Sequence, residues 1–312
     1  LLAPKDLFKN DGASVTTCII TLEKCSDKKE REENIIRVIP RVKTEEEYYN
    51  PKRIHLIKQK KYFLLPSKQF YIDVPENLID ILIKSPKITE VIDGNIGMHT
   101  HNNKKYIGAI EGTDLAKKYK KKGREIAKKE DIKRGLWHIY IKKGGLNQYW
   151  AEIDEAVRWD EESKKNYDIP KNNFFLKEGL IISGISSRLS ARYMPKGCLW
   201  ESNKAIGFVV KNNKVSIYYL LGLLNSKLYN FFMKGIINST NSIQINDIKQ
   251  LHFIYPKKEL MIEVENLVKK IIKNKKENPN YDYSKEQKKI DNIIFDIYKI
   301  DKEEKEFILK YY

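Results

Sequence analysis

Apolar positions along the chain follow two periods, first two and later about 3.6 residues. Residues 13–24, ASVTTCIITLEK, alternate, with Val15, Thr17, Ile19 and Thr21 on one side and Thr16, Cys18, Ile20 and Leu22 on the other. An apolar centre reaching both sides predicts a strand in a buried sheet. ENIIRVIPRV predicts a second strand after the polar turn SDKKEREE. Two strands alone are marginal, so the pair reads as the last edge of a larger sheet. KKYFLLP and KQFYIDV alternate like short strands around Pro66, and PENLIDILIKSP predicts a helix bounded by Pro75 and Pro86. VIDGNIGMHTHNNKKYIGAI predicts strand–turn–strand, with Gly94 and Gly97 opening a loop and Asn102-Asn103 available for the turn.

Residues 114–134 predict a helical segment crowded with lysine and arginine around Gly123. Strands return in GLWHIYIKKGG, with Trp137, Ile139 and Ile141 on one side, in NNFFLKEGLIISGIS and in KGCLWESNKAIGFVV. From residue 216 the period is helical: Tyr219, Leu220, Leu223 and Leu224 share a face of SIYYLLGLLNSKLYNFFMKG. In that helix Asn225 and Ser226 are expected to cap or bond locally. QINDIKQLHFIYP predicts a strand ending at Pro256. Two helices separated by PNYDY fill 257–312, and the stripe Ile290, Ile293, Ile294, Ile297 is continuous enough to dock on the domain or on a partner subunit. No repeat of fixed period is present.

Charge narrows the class of partner. The 312 residues carry 59 Lys+Arg against 42 Asp+Glu, a formal net charge of +17, which favours a polyanion, most often nucleic acid. The 41% apolar content allows a real core. No stretch approaches the roughly 18 apolar residues of a membrane span, and LLAPKDLFKN is not the start of a signal peptide. Cys18, Cys25 and Cys198 are too few and too irregular for a disulfide framework or a zinc site, so a reducing cytoplasm fits.

Catalytic patterns are thin. Asp154, Glu162 and Lys164 make a loose D…ExK pattern of a kind that arises by chance in a chain with 32% charged residues. His99 and His101 share a strand face but lack further ligands nearby in sequence. Ser183, Ser186 and Ser187 do not sit in a GxSxG turn. Binding chemistry is richer. GISSRLSARY, 184–193, sets Arg188 and Arg192 among serines. An arginine fork suits phosphate or the O6/N7 edge of guanine, while hydroxyls such as those of Ser186 and Ser187 commonly hold phosphate. The bland alternative is an exposed ion pair, for example with Glu178. On one strand, an even spacing would aim both arginines the same way. Further candidate contacts are Lys104, Lys105 and Tyr106 after a turn; Lys120, Lys121 and Lys122 in the basic segment; and Lys142 and Lys143 beside Gly144-Gly145. Among the tryptophans, Trp137, Trp159 and Trp200 read as core or groove wall, and Trp150, after the polar GGLNQY, as the one suited to a contact.

VIDGNIGMHTHNNKKYI, WHIYIKKGGLNQYW with VRWD, EGLIISGISSRLSARYMPKG, YLLGLLNSKLYNFF with INDIKQLHFIYP, and the terminal VENLVKKIIKNK through QKKIDNIIFDIYKIDKEEKEFI occur in one order. Together with ASVTTCIITLEK they resemble the C-terminal specificity half of adenine-specific DNA methyltransferases of restriction–modification and phage-exclusion systems, the TaqI-like specificity domain. The resemblance implies an α+β chain. Residues 1–47 would be the C-terminal edge of a methyltransferase domain and 48–256 a curved, mostly β DNA target-recognition domain with flanking helices. Residues 257–312 would be a helical tail. It implies double-stranded DNA as partner, with a methyltransferase catalytic domain or subunit and, in a restriction system, a cleavage module. The catalytic half of such enzymes carries an FxGxG-like cofactor loop and an (N/D/S)PP(Y/F) loop. The chain's ten prolines include no Pro-Pro pair and no glycine pair has the cofactor-loop setting. No S-adenosylmethionine is therefore expected on this chain, which reads as a fragment or as the companion of a separate catalytic subunit. A free-standing specificity subunit, an RNA-binding accessory and a Mg²⁺-dependent nuclease are the alternatives.

Overall fold

A computed structural model of the chain describes residues 19–311, apart from 40, 41, 43, 66–69, 73, 143, 144, 203 and 213. The chain divides into two compact units, Leu1–Lys84 and Ser85–Tyr312.

In the first unit, α1 (Lys28–Glu33) precedes β1 (Ile35–Val38), and α2 (Glu45–Tyr49) precedes β2 (His55–Lys58). The antiparallel pairing runs from Ile35 opposite Lys58 to Val38 opposite His55. α3 (Gln59–Tyr62) and α4 (Glu76–Lys84) follow. The ENIIRVIPRV strand and the PENLIDILIKSP helix are thus present. Others differ. Of the expected strand 13–24, residues 19–24 form no regular element and the rest, with Cys18, lie outside the described residues. SDKKEREE is a helix because the Asp27 carboxylate accepts the Glu30 N–H at 2.8 Å, satisfying an N-terminal donor. KKYFLLP turns as α3, which buries Tyr62 edge-on against Tyr71 at 5.3 Å.

The second unit holds β3 (Ile92–Ile96), α5 (Asn103–Tyr106), β4 (Ile107–Ile110), α6 (Asp114–Lys121), β5 (Ile126–Ala127), α7 (Lys129–Lys133), β6 (Trp137–Ile141), β7 (Glu155–Arg158), α8 (Glu161–Lys164), β8 (Gly179–Ser183), β9 (Ala191–Met194), β10 (Cys198–Trp200) and β11 (Ala205–Val210). Its helical part comprises α9 (Ile217–Leu224), α10 (Lys227–Phe231) running into a π-helical turn Phe232–Ile237, α11 (Ile245–Ile248), α12 (Lys258–Glu277), α13 (Ser284–Ile297) and α14 (Lys302–Lys310). The architecture is α+β. One sheet has the order β10-β6-β7-β4-β5 and the other β3-β11-β8-β9. A shared core of Met98, Ile107, Tyr140, Val157, Ile181, Leu199 and Trp200 joins them. Gly207 is needed there, since a Cβ would meet the Trp200 ring at 2.3 Å.

β3 and β4 were expected as neighbours, yet they enter different sheets. His101 takes a left-handed φ of 55° and Asn102 caps α5 by accepting the Lys105 N–H at 3.0 Å, which redirects the chain. QINDIKQ is helical rather than extended: the Asp247 carboxylate accepts the Gln244 N–H at 2.8 Å and starts α11. Beyond it His252 keeps only an isolated bridge to Lys87. The tail packs on its own unit. Ile290, Ile293 and Ile294 are buried, and α9 lies so close that a Cβ on Gly222 would sit 2.5 Å from Val264 and 3.5 Å from Ile290. Tyr229 and Tyr298 lock the layers hydroxyl to hydroxyl at 2.6 Å, and the Ile254 N–H donates to the Tyr298 hydroxyl at 3.2 Å.

Candidate nucleic-acid interface

α6 is amphipathic. Ala116 and Tyr119 turn into a small core with Ala109, which leaves Lys117, Lys118, Lys120, Lys121 and Lys122 exposed. Thr113 caps its start by accepting the Ala116 N–H at 3.2 Å, so the lysines crowd the carbonyl end, where cations are favoured. Arg124 stacks over Tyr119 at 3.8 Å and donates to the Asn103 carbonyl at 3.3 Å. That bond ties the turn after α6 to the start of α5; Lys104, Lys105, Lys120, Lys121 and Lys122, all exposed, are taken together as the basic face. Tyr106, expected as a contact, is core: it is 6% exposed and packs edge-on against Tyr167 at 5.2 Å. Its ring is apolar and follows Ile107 inward.

GISSRLSARY is not one extended strand. β8 ends at Ser183; Ser187 and Arg188 lie in a bend; β9 begins at Ala191. The helical layer staples the bend. Asn225 accepts the Ala191 N–H at 2.9 Å and donates back to its carbonyl at 2.8 Å. Asn230 accepts the Leu189 N–H at 2.8 Å, and Lys234 donates to the carbonyls of Ser186 at 2.9 Å and Thr240 at 2.6 Å. Ser226 does cap α10 locally, but Asn225 reaches across to β9. The two arginines therefore part. Arg188 is exposed and donates to the Leu146 carbonyl at 2.9 Å. Arg192 is 9% exposed on β9, and burial pulls its guanidinium down to about 10, still charged at neutral pH. The expected shared aim of Arg188 and Arg192 is absent because the bend separates them. Ser186 is buried, its hydroxyl accepting the Arg188 N–H at 3.3 Å; Ser187 is exposed.

Lys142 is half-buried, 3.9 Å from the buried Glu155 carboxylate, which also accepts from the Tyr119 hydroxyl at 2.7 Å. This makes Lys142 a support for α6. Lys143 and Gly144 lie outside the described residues. Trp150 is half-buried, tilted on Tyr193 at 6.3 Å with Lys276 4.5 Å above its ring. Trp137 and Trp200 are buried, as core. His101 pairs with Asp168 at 2.8 Å and lies edge-on to His99. Among the described residues no group of three His, Cys, Asp or Glu side chains is placed to hold a metal ion, and no helix is long and apolar enough to cross a membrane.

Sequence reasoning missed a cleft beside the bend. Two adjoining cavities, about 730 and 550 Å³, share Gln148, Arg188, Lys227 and Gln287. Tyr283 donates to Gln148 at 3.2 Å, Tyr149 to Gln287 at 2.6 Å, and Asp291 accepts the Lys227 N–H at 2.9 Å. Residues more than a hundred positions apart build these walls, so no local spacing announces them. The one local signal is Lys234, a cation inside the apolar run NFFMKGII.

Residues 118–254 match the family model of the TaqI-like C-terminal specificity domain. The chain is similar to the adenine-specific methyltransferase BrxX of Escherichia coli O9:H4 (strain HS), 25% identical over 149 residues, which are 46% of this chain and 12% of that protein. It therefore spans a small part of that relative's length. It is also similar to a solved structure of the Type IIL restriction-modification enzyme MmeI in complex with DNA, at a TM-score of 0.47 and 13% identity, covering 89% of this chain and 41% of that one. The family match begins inside α6, takes in β5 to β11 and ends just past α11. It contains the end of the basic face, the bend at Arg188 and the asparagines that staple it, and over residues 118–254 the chain is similar to the TaqI-like C-terminal specificity domain.

Proposed function

We propose that the chain reads a short sequence in double-stranded DNA and directs adenine methylation by a catalytic domain or subunit that carries the methyl donor. The specificity-domain match over 118–254 carries this reading. The adenine-specific methyltransferase relative supports the chemistry it serves. The basic face of Lys104, Lys105, Lys120, Lys121 and Lys122 supports a backbone grip, because lysine meets phosphate as a hydrated point charge. Arg188, exposed at the bend with Ser187, is the side chain best placed to reach a base edge or a phosphate. Trp150 and Lys276 form an aromatic–cation pair at the surface that suits the flank of the same duplex.

In this reading the target adenine's amine lies inside the duplex, so the complete enzyme extrudes the base, while the specificity domain holds the flanking duplex in register. The methyl donor, S-adenosylmethionine, belongs to the catalytic part. The first unit leaves Leu22, Leu56 and Phe70 exposed at 86, 69 and 67%, which supports contact with that part. Selection from a random duplex library tests the reading. One short enriched motif is expected, and the same selection without enrichment over input would contradict it. Calorimetry with S-adenosylmethionine and this chain alone is expected to show no binding; a stoichiometric micromolar site would relocate the donor to this chain.

A further inference from the structure

The smaller cavity beside the bend, about 550 Å³, has an uneven lining: Arg188, Lys227 and Lys234 contribute cations, Ser187 and Ser239 contribute hydroxyls, and no Asp or Glu among the described residues lines it. The amides in its wall are already engaged. Asn225 bonds both backbone groups of Ala191, Asn230 accepts from Leu189, and Gln287 accepts from Tyr149 and donates to Asp291 at 3.1 Å. They act as rigid walls and have little left for the edge of a base. What remains is donor capacity on cations. The Arg188 guanidinium has five N–H donors; one nitrogen goes to the Leu146 carbonyl and another contact is to the Tyr283 hydroxyl, which leaves donors over. The Lys234 ammonium has three; two meet the Ser186 and Thr240 carbonyls. Lys234 is 6% exposed, and a buried charge is costly unless opposite charge or full hydrogen bonding offsets it; the Asp247 carboxylate favours its charge from outside the cavity lining. The carboxylates Asp282 and Asp291 line the adjoining cavity instead.

A ligand that only accepts hydrogen bonds and carries negative charge answers each of these features. We propose that this cleft seats a backbone phosphate of the bound nucleic acid, held by Arg188, Lys227 and Lys234 with Ser187 and Ser239 at its mouth. The proposal rests on the DNA-reading function above and adds a phosphate seat remote in sequence from the basic face. It also gives the bend its purpose: Asn225 and Asn230 fix Arg188 in place before DNA arrives, so binding need not order it.

The test uses the full chain with Lys227→Gln and Ser239→Asp, both at exposed positions, and with Lys234→Met. Duplex titrations at several salt concentrations are paired with melting curves. A duplex series carrying one neutral methylphosphonate at a time replaces each backbone phosphate in turn. Lys227→Gln should weaken all duplexes by about tenfold, as loss of one charge-assisted contact does, and lower the salt slope by about one. Ser239→Asp should weaken binding at least as much, by repulsion. One methylphosphonate position should weaken the parent and leave Lys227→Gln indifferent. If Lys227→Gln and Ser239→Asp bind every duplex as the parent does, the proposal fails while DNA reading stands. If the parent binds no duplex, the functional reading fails first. Inorganic pyrophosphate separates the sources. Weak competition with duplex agrees with a backbone seat. Tight binding of pyrophosphate with duplex affinity unchanged in all three variants would assign the cleft to a free phosphate compound and overturn the proposal.

Discussion

Arg192 stands on β9 with 9% of its surface exposed, while Arg188, four positions earlier, donates to a loop carbonyl from an exposed bend. Their substitutions should therefore separate cleanly. Arg192→Ala removes a large buried side chain, and the expected cost is about 2–4 kcal/mol of stability, with DNA affinity per folded molecule unchanged. Arg188→Ala should leave the melting temperature nearly unchanged. Because Arg188 is proposed to hold a phosphate, all sequences should weaken together; a loss of about 1–3 kcal/mol confined to one base pair of the site would make it a base reader instead. Melting curves and titrations of the two variants decide between these, and a stable Arg192→Ala that binds DNA poorly would reverse the assignment. The tyrosine pair belongs to the same scale. Tyr229→Phe leaves the Tyr298 hydroxyl, buried at 2.6 Å from it, without that partner, so about 1–3 kcal/mol of stability should be lost, read by denaturant unfolding.

At the scale of elements, α6 carries the clearest expectation. Changing Lys120, Lys121 and Lys122 to Gln keeps helix propensity and leaves Ala116 and Tyr119 packed. Affinity should fall alike for all duplexes and its salt dependence should flatten; an unchanged slope would make the segment a solvated surface. α12 and α13 offer a pH test. Lys270 donates to the buried Glu286 carboxylate at 2.7 Å and holds it below the usual carboxylate range. A carboxylate with a lowered folded value contributes stability above its unfolded value and loses it as pH falls through the folded one. The melting-temperature gap between parent and Glu286→Gln should thus be widest near neutral pH and close below about pH 4. Long periodic segments were legible in advance: α4, α9, α12 and α13 follow their apolar stripes, and β6, β8 and β11 their apolar runs. Short elements were not. Asp27, Asn102 and Asp247 each start a helix by capping it, and one side-chain hydrogen bond outweighs a few residues of alternation.

For the whole molecule, the net charge of +17 pointed to a polyanion without saying which residues meet it. Exposure then divided the sequence candidates. Lys104, Lys105, Lys120, Lys121, Lys122, Ser187 and Arg188 lie at the surface, whereas Tyr106, Ser186 and Arg192 are buried and Lys142 leans on Glu155. Charge runs are visible in a sequence, but the cleft at Arg188, Lys227 and Lys234 exists only once α10 and α13 close over the bend. The α+β architecture was implied by the resemblance and agrees with strand-like runs early in the chain and helical stripes late in it; that β3 and β4 enter separate sheets was not legible, since the chain turns between them at the left-handed His101 and the Asn102 cap. The proposed function of this chain is to read sequence in duplex DNA. Its most direct measurement is the affinity ratio between the selected duplex and a scrambled one of equal length, titrated at near-physiological salt and again at a higher concentration. A ratio of about a thousand or more is expected, with both affinities falling as salt rises; equal affinity for the two duplexes at both salts would contradict sequence reading by this chain.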